Sequence, residues 1–317
     1  MGTIENGVLV DPIIQFGVLL QCPRCTSRLI GMSCSLCSFE MHPDDGIMRA
    51  LPAERSRHFA HFTQDYQRIR AAEGRASNSD SFYLDLPYRD ITGRNSRQWQ
   101  IRARTYDHLV HHVLYRNVAK GGLILDVGAG NCWMSYRLAL AGYRPVAVDL
   151  VTNLFDGLGA ARHYQSRLPS LFPRFQADMQ HLPFQDAQFD AAIFNASFHY
   201  SEDYSATLRS ILRCVRKSGV VIISDTPWYS REESGSEMLR ERRAAFLKTY
   251  GTSSDALESQ EFLTNERLRD LEEELSIRWK AHTPQYGLTW ALRPLKAKLL
   301  RRREPSRFRI YVAWKNA

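Results

Sequence analysis

The sequence predicts an α/β chain, with a mostly parallel sheet of seven strands and helices on both faces. Three observations predict it. Short apolar runs recur at the spacing of strand, helix and strand; the first of them, Leu123–Val127, runs straight into the turn Gly128-Ala-Gly130; and several later runs end on a polar residue, at Asp149, Asn195 and Asp225. Strands that are apolar throughout, without polar alternation, are those covered on both faces by helices.

Taken in chain order, the first feature is a pair of Cys-x-x-Cys knuckles, Cys22-Pro-Arg-Cys25 and Cys34-Ser-Leu-Cys37. Each knuckle presents two thiolates, and four thiolates close one tetrahedral zinc with no open coordination position, so a folding or docking role is expected. Glu5 and Asp11 stand where a secretory leader would be basic and then apolar, so no signal peptide is read and disulfides are not expected. Replacing Cys22 and Cys25 by Ser is expected to loosen this module while the sheet domain stays folded.

The segment 53–98 bridges to the sheet. His58–Tyr66 and Tyr66–Arg70 read as helix, Gly74–Asp80 as loop, and Phe82, Tyr83, Leu84, Leu86 and Tyr88 as an aromatic patch broken by Pro87. Tyr66, Tyr83 and Tyr88 are expected to sit over the site, with Tyr106 on the helix before the first strand also near it. The side-by-side His111 and His112 read as structural.

From Leu123 the strand, the glycine turn and a helix over roughly 131–141 form one unit. Free amides at that helix start face whatever sits above the strand end. The second strand, Arg144–Asp149, ends in a carboxylate placed to accept from a ribose diol. Gln176-Ala-Asp178-Met179 sets a third carboxylate at a strand end before Leu182-Pro-Phe184, then Phe189–Asn195 and Gly219–Asp225 supply the fourth and fifth strands. Glu232–Tyr250 reads as a long charged helix covering an acceptor pocket. Leu275–His282 and Phe308–Trp314 alternate as two closing strands, one of them antiparallel.

This ordered set, over roughly Trp99–Ala317, resembles the class I S-adenosylmethionine (SAM) dependent methyltransferases with their Rossmann-like sheet. The resemblance implies that Asp126, Gly128 and Gly130 surround the methionine part of SAM and that Asp149 holds the ribose hydroxyls. It also implies that Asp178 binds the adenine amino group beside the Met179 backbone, and that Asn195 lies near the SAM amino group and the reacting methyl. Cys132 departs from the small residue often found third in the turn. Trp133, where a dinucleotide fingerprint would have its last glycine, argues against NAD. The N-terminal ribbon, with Asp45-Gly46-Ile47 and Leu51-Pro52, resembles that of the zinc-ribbon guanine methyltransferases of large-subunit ribosomal RNA. The organisation expected is a zinc ribbon over 1–52, a lid segment over 53–98 and a SAM-dependent methyltransferase domain over 99–317.

Asn195-Ala-Ser-Phe-His-Tyr200 lies where this fold receives its acceptor. In nucleic-acid amino-group methyltransferases the turn carries two prolines, which are missing here. His199 and Tyr200 are therefore the candidate catalytic residues, His199 having the better intrinsic pKa for a general base. Asp225 and Tyr229 are secondary candidates for acceptor contact.

Composition sets the remaining limits. The formal charge is +8 and 44% of the 317 residues are hydrophobic. No apolar stretch reaches membrane-spanning length, and cytoplasmic residence is the default. The basic run Lys296–Arg303 has a reading as a contact for RNA phosphates, anionic lipid or an acidic substrate; the expectation favoured is a solvated helix face whose Leu295, Leu299 and Leu300 pack inward. Three functions stay open: methyl transfer to O or N of a small-molecule acceptor, which is favoured; RNA base methylation with the ribbon as docking module; and a SAM-binding protein with other chemistry.

Overall fold

The structure, a computed structural model, describes residues 4–5, 8–9 and 16–315. A two-stranded ribbon pairs Ile4–Glu5 with Val8–Leu9, and a second small hairpin, Leu29–Ile30 with Ser33–Cys34, carries the cysteine knuckles. The main elements follow as β1 (His42–Asp44), β2 (Ile47–Arg49), α1 (Ala53–Ala72), α2 (Asp80–Asp85), α3 (Ser96–His108), β3 (Leu123–Val127), α4 (Trp133–Leu140), β4 (Arg144–Asp149), β5 (Arg174–Gln176) and β6 (Phe189–Asn195). After them come α5 (Tyr204–Cys214), β7 (Val215–Ser224), α6 (Glu232–Tyr250), α7 (Asn265–Leu275), β8 (Trp279–His282), α8 (Arg293–Leu299) and β9 (Ile310–Trp314).

One nine-stranded sheet organises them, in the order β8-β9-β7-β6-β3-β4-β5-β2-β1. β9 runs antiparallel between β7 and β8, as expected, and β3 to β7 pair in parallel. The seven expected strands are present, and two more are added from the ribbon. β2 pairs in parallel with β5, Met48 opposite Phe175 and Arg49 opposite Gln176, and β1 closes the edge. The ribbon is thus part of the sheet. Arg174 reinforces the joint by donating to the Gly46 carbonyl at 3.0 Å, and the Ala50 amide donates to the Gln176 carbonyl at 2.9 Å.

Alternate residues of each central strand enter two separate cores. Leu123, Leu125, Val127, Val146, Val148, Ala192 and Phe194 pack on one face with α5 and α7; Ile124, Ala147, Ala191 and Ile193 pack on the other with α3 and α4. Burial on both faces is why these strands read as mostly apolar runs without regular polar alternation. Asp203 caps α5 by accepting from the Ala206 amide, and Thr264 caps α7 from the Arg267 amide.

The fifth expected strand begins four residues earlier than its apolar run, at Val215, because Val215 already pairs with Phe189. The leucines of the basic segment correct a second expectation. Leu295, Leu299 and Leu300 are 56%, 75% and 51% exposed, so α8 offers its apolar positions to solvent and has no core beneath it. No helix among the described residues is long and apolar enough to cross a membrane.

Candidate active site and metal centre

The sheet changes winding direction at β3, whose neighbours are β4 on one side and β6 on the other. Ligands of open α/β sheets bind at such a point, outside the carboxyl ends of the strands. The glycine turn after β3 sits there, with Gly128 at φ +73°, Gly130 at +52° and Cys132 at +64°. Cys132 holds a left-handed conformation with a side chain fully buried, at the position where a third small residue was expected. Gly128 is fixed by a close approach: a Cβ there would stand 2.3 Å from the Ser197 Cβ. Ser197 in turn donates its hydroxyl to the Val127 carbonyl.

A narrow cleft of about 80 Å³ opens beside this turn. Gly128, Asp149, Asp178 and Met179 line its floor, and Phe59, Phe62 and Tyr66 of α1 form its roof with Leu257. Asp149 accepts from the Gly130 amide at 2.8 Å and the Val151 amide at 2.7 Å, which leaves further lone pairs for a ligand diol. Burial pushes its carboxyl up to about 6. Asp126, Gly130 and Asn195 are not among the cleft's lining residues. Asp126 points into the sheet face toward α4, where Ser135 donates to it at 2.6 Å, and burial pushes it up to about 7. Asn195 accepts from the Ser224 hydroxyl at 3.1 Å across two strand ends.

Asp178 is already engaged. Arg55 of α1 donates to it at 2.8 Å and His181 at 2.7 Å, and the Gln180 amide at 3.0 Å. Burial raises its carboxyl, but the His181 hydrogen bond and the Arg55 charge outweigh that and hold it below the usual carboxylate range. Arg55 also reaches Glu202 at 3.6 Å, and His58 bonds the same carboxylate at 2.9 Å. These contacts pin α1 across the mouth of the cleft. The helix is legible in the sequence and its pins are not, because Arg55 and Asp178 lie 123 residues apart. Arg55 and His58, one helical turn apart, were the available sign.

Phe62, Tyr66 and Tyr200 make a wall of rings 5.6–5.9 Å apart. These three residues and Ala196 line both the cleft and a second cavity of about 340 Å³ behind it. His199, Asp225 and four arginines, Arg70, Arg75, Arg102 and Arg242, line that second cavity. Both sequence-predicted catalytic residues thus stand between or beside the two spaces. Tyr83, Tyr88 and Tyr106, expected as a lid, line neither. Tyr83 is buried against His163 and donates to the Ser77 and Phe155 carbonyls, Tyr88 donates to Asp107, and Tyr106 packs edge-on against Trp133. Tyr229 faces a basic groove beside Arg303.

His199 keeps Nδ1 buried and without a partner. Burial pushes its ring down to about 4, Arg242 and Arg102 adding to the effect and Glu261 opposing it. The imidazole is therefore neutral at pH 7 and a weaker base than a free histidine. Its folded value lies below the unfolded value of about 6.5. Between those limits the unfolded chain takes a proton that the folded chain refuses, so stability falls as pH falls through that window. A base at His199 should give kcat/KM an acid limb near 4, with no inflection near the free-histidine value of about 6.5. His199→Gln should lower kcat by about 10²-fold or more. Unchanged kcat in His199→Gln would remove His199 from the chemistry.

The four knuckle cysteines lie together, their Sγ atoms all within 4.8 Å of one another. Cys22 and Cys37 are 3.5 Å apart and Cys25 and Cys34 are 3.4 Å apart, with all four thiols free. Zn–S bonds of about 2.3 Å in a tetrahedron require sulfurs about 3.8 Å apart, so the donor set fits zinc. The two knuckles repeat one geometry: Thr26 and Ser38, each four residues after the first cysteine, adopt φ +61° and +57°. Their amides return to the Cys22 and Cys34 carbonyls at 2.9 and 3.0 Å.

Comparison with known proteins agrees with this fold. Residues 125–223 match the family described as a methyltransferase domain. A malonyl-[acyl-carrier protein] O-methyltransferase of Yersinia pestis is 29% identical over 36% of this chain and 40% of its own length. The protein of that name from Erwinia pyrifoliae is 24% identical over 60% of this chain and 63% of its own. The chain therefore spans less than two thirds of either relative. Among solved structures, a Galdieria sulphuraria protein provisionally named sarcosine dimethylglycine methyltransferase aligns with a TM-score of 0.50 at 14% identity, over 68% of this chain and 86% of that one.

Proposed function

We propose that this protein is a SAM-dependent methyltransferase (EC 2.1.1.-) acting on an O or N atom of a small-molecule acceptor. The observation that carries the reading is the cleft at the end of β3, with a glycine turn on one side and Asp149 at the end of β4 on the other. The match to a methyltransferase domain and the relatives named for methyl transfer support it.

Asp149 would hold the ribose hydroxyls, the Gly128–Gly130 turn would face the cofactor backbone, and Met179 would lie beside the adenine. Asp178 can take the adenine amino group only by sharing or releasing Arg55. When bound, SAM supplies a methyl group on a positively charged sulfur. The chain's own work is alignment and exclusion of water, in keeping with an in-line displacement. α1 roofs the cleft, the Phe62–Tyr66–Tyr200 wall meets the acceptor side, and neutral His199 takes the proton that a hydroxyl or amine gives up. Cys22, Cys25, Cys34 and Cys37 would hold a structural zinc, whose closed set of four sulfurs gives it no part in the transfer.

Labelled methyl from SAM should enter the low-mass fraction of a cell extract and not its RNA. Label confined to RNA and removed by nuclease would replace this reading with base methylation. Calorimetry tests the cofactor side: Asp149→Ala loses buried, charge-assisted hydrogen bonds and should weaken SAM at least tenfold. Unchanged affinity would overturn the assignment of the cleft.

A further inference from the structure

The second cavity holds four arginines, and three are already matched. Arg70 pairs with Asp156, Arg75 with Glu73, and Arg242 with Glu261 through two bonds. Arg102, on α3, has neither an ion pair nor a hydrogen bond among the described residues; it lies against the face of Trp99 at 4.8 Å, and the Asp225 carboxylate on the same cavity lining attracts it from beyond ion-pair distance. Burial pushes its guanidinium down to about 10, with repulsion from Arg75 and Arg70 adding to it. A half-buried guanidinium without an ion-pair or hydrogen-bond partner keeps its donors free for an arriving anion. Arg75, itself 5% exposed, has Nη1 without a partner on the lining of the same cavity.

We propose that the acceptor is an apolar molecule bearing one carboxylate, and that Arg102 receives that carboxylate with Arg75 as the neighbouring donor. The proposal rests on the methyltransferase reading and specifies its acceptor. A planar guanidinium pairs with a carboxylate through two parallel bonds, which a lysine could not do. Phe62, Ile101, Phe246 and Phe308 also line the cavity and suit an apolar or aromatic body. Asp225 and Glu261 lie on the same lining and disfavour a dianion, so a carboxylate fits better than a phosphate. The way in has the same sign. His199, Pro227 and Arg242 also line an outer groove, whose other members include Arg293, Lys296, Arg301, Arg302 and Arg303 against Glu237 and Glu241. A basic groove raises the local concentration of an anion before it binds. The carboxylate is a handle, and the methylated atom lies toward Ala196 and Tyr200, which face both cavities.

Calorimetry with benzoate and its uncharged counterpart benzamide tests this, on the full chain with and without S-adenosylhomocysteine. Benzoate should bind at least tenfold more tightly than benzamide. Arg102→Gln should erase that preference, Arg102→Lys should keep part of it, and SAM affinity should stay unchanged in both. Equal binding of the two probes to the wild-type protein would overturn the proposal even if neither variant folds. A preference that survives in Arg102→Gln, or inorganic phosphate outcompeting benzoate, would also overturn it. Normal SAM binding without carboxylate preference sinks this inference alone. Carboxylate preference without SAM binding sinks the methyltransferase reading instead.

Discussion

Gly128→Ala should be among the most damaging single changes in the chain, and Gly130→Ala, two residues away, should be far milder. At Gly128 the new Cβ would stand 2.3 Å from the Ser197 Cβ, on a backbone at φ +73°. A left-handed alanine costs about 1–2 kcal/mol, and forcing a methyl group into a packed site adds about 1–3 kcal/mol. At Gly130 the nearest atom is the Asp156 carbonyl at 3.6 Å, so only the backbone penalty applies. Denaturant melts should therefore rank the two variants by about 2 kcal/mol. The position also borders the cleft, so Gly128→Ala should lose most SAM binding. Adding Ser197→Gly removes the opposing Cβ and should return part of the lost stability. If the double variant is no more stable than Gly128→Ala, the contact with Ser197 is not what the glycine serves.

The second large effect is expected from the metal. Cys22→Ser with Cys25→Ser, or a strong chelator, should release zinc and lower the melting temperature of the whole protein in one transition. The sequence alone led to a different expectation, a loosened module beside an intact sheet. The change follows from β2, which pairs with β5, and from Met41, Ile47, Met48 and Ala50, which are buried in the shared cores. α1 starts only three residues after Ala50 and roofs the cleft, so SAM affinity should fall with the metal. Zinc binding is worth about 10–16 kcal/mol in isolated zinc-finger peptides. A loss of about 5 kcal/mol here would shift the midpoint by about 10 °C in a chain of this size. Two separate transitions, with SAM affinity kept through the first, would show the ribbon to be independent after all.

The parts of the fold that were legible are those where one chain segment carries its own pattern. β3, β4 and β6 begin and end where the sequence places them, because burial on both faces keeps them mostly apolar, with Asp126 and Asp190 as buried exceptions. The knuckles were legible because four sulfurs around one ion impose a fixed spacing. Asp149 and Met179 were placed by strand ends, and both line the cleft. What escaped depends on partners far along the chain. A three-residue strand such as β2 has no period to detect, so its pairing with β5 left no trace. Ser197 against Gly128, and Arg55 on Asp178, are contacts between segments 69 and 123 residues apart. Asp126 was assigned to the cofactor by resemblance alone, and its parity along β3 aims it at Ser135. The inward leucines of α8 failed for a related reason: helical spacing gives a stripe but cannot supply the surface to cover it.

The edge pairing of β2 with β5 also sets an order of events as the chain emerges. The knuckles from Cys22 to Cys37 close over a short loop, so the zinc proposed there would be captured as soon as those residues are free. The hairpin of β1 and β2 then waits, because the strand it must join begins at Arg174, more than a hundred residues later. Contacts between such distant segments form slowly and leave an open edge in the meantime. A hairpin of β1 and β2 already paired would offer β5 a finished border and leave it no exposed edge for another molecule's strand.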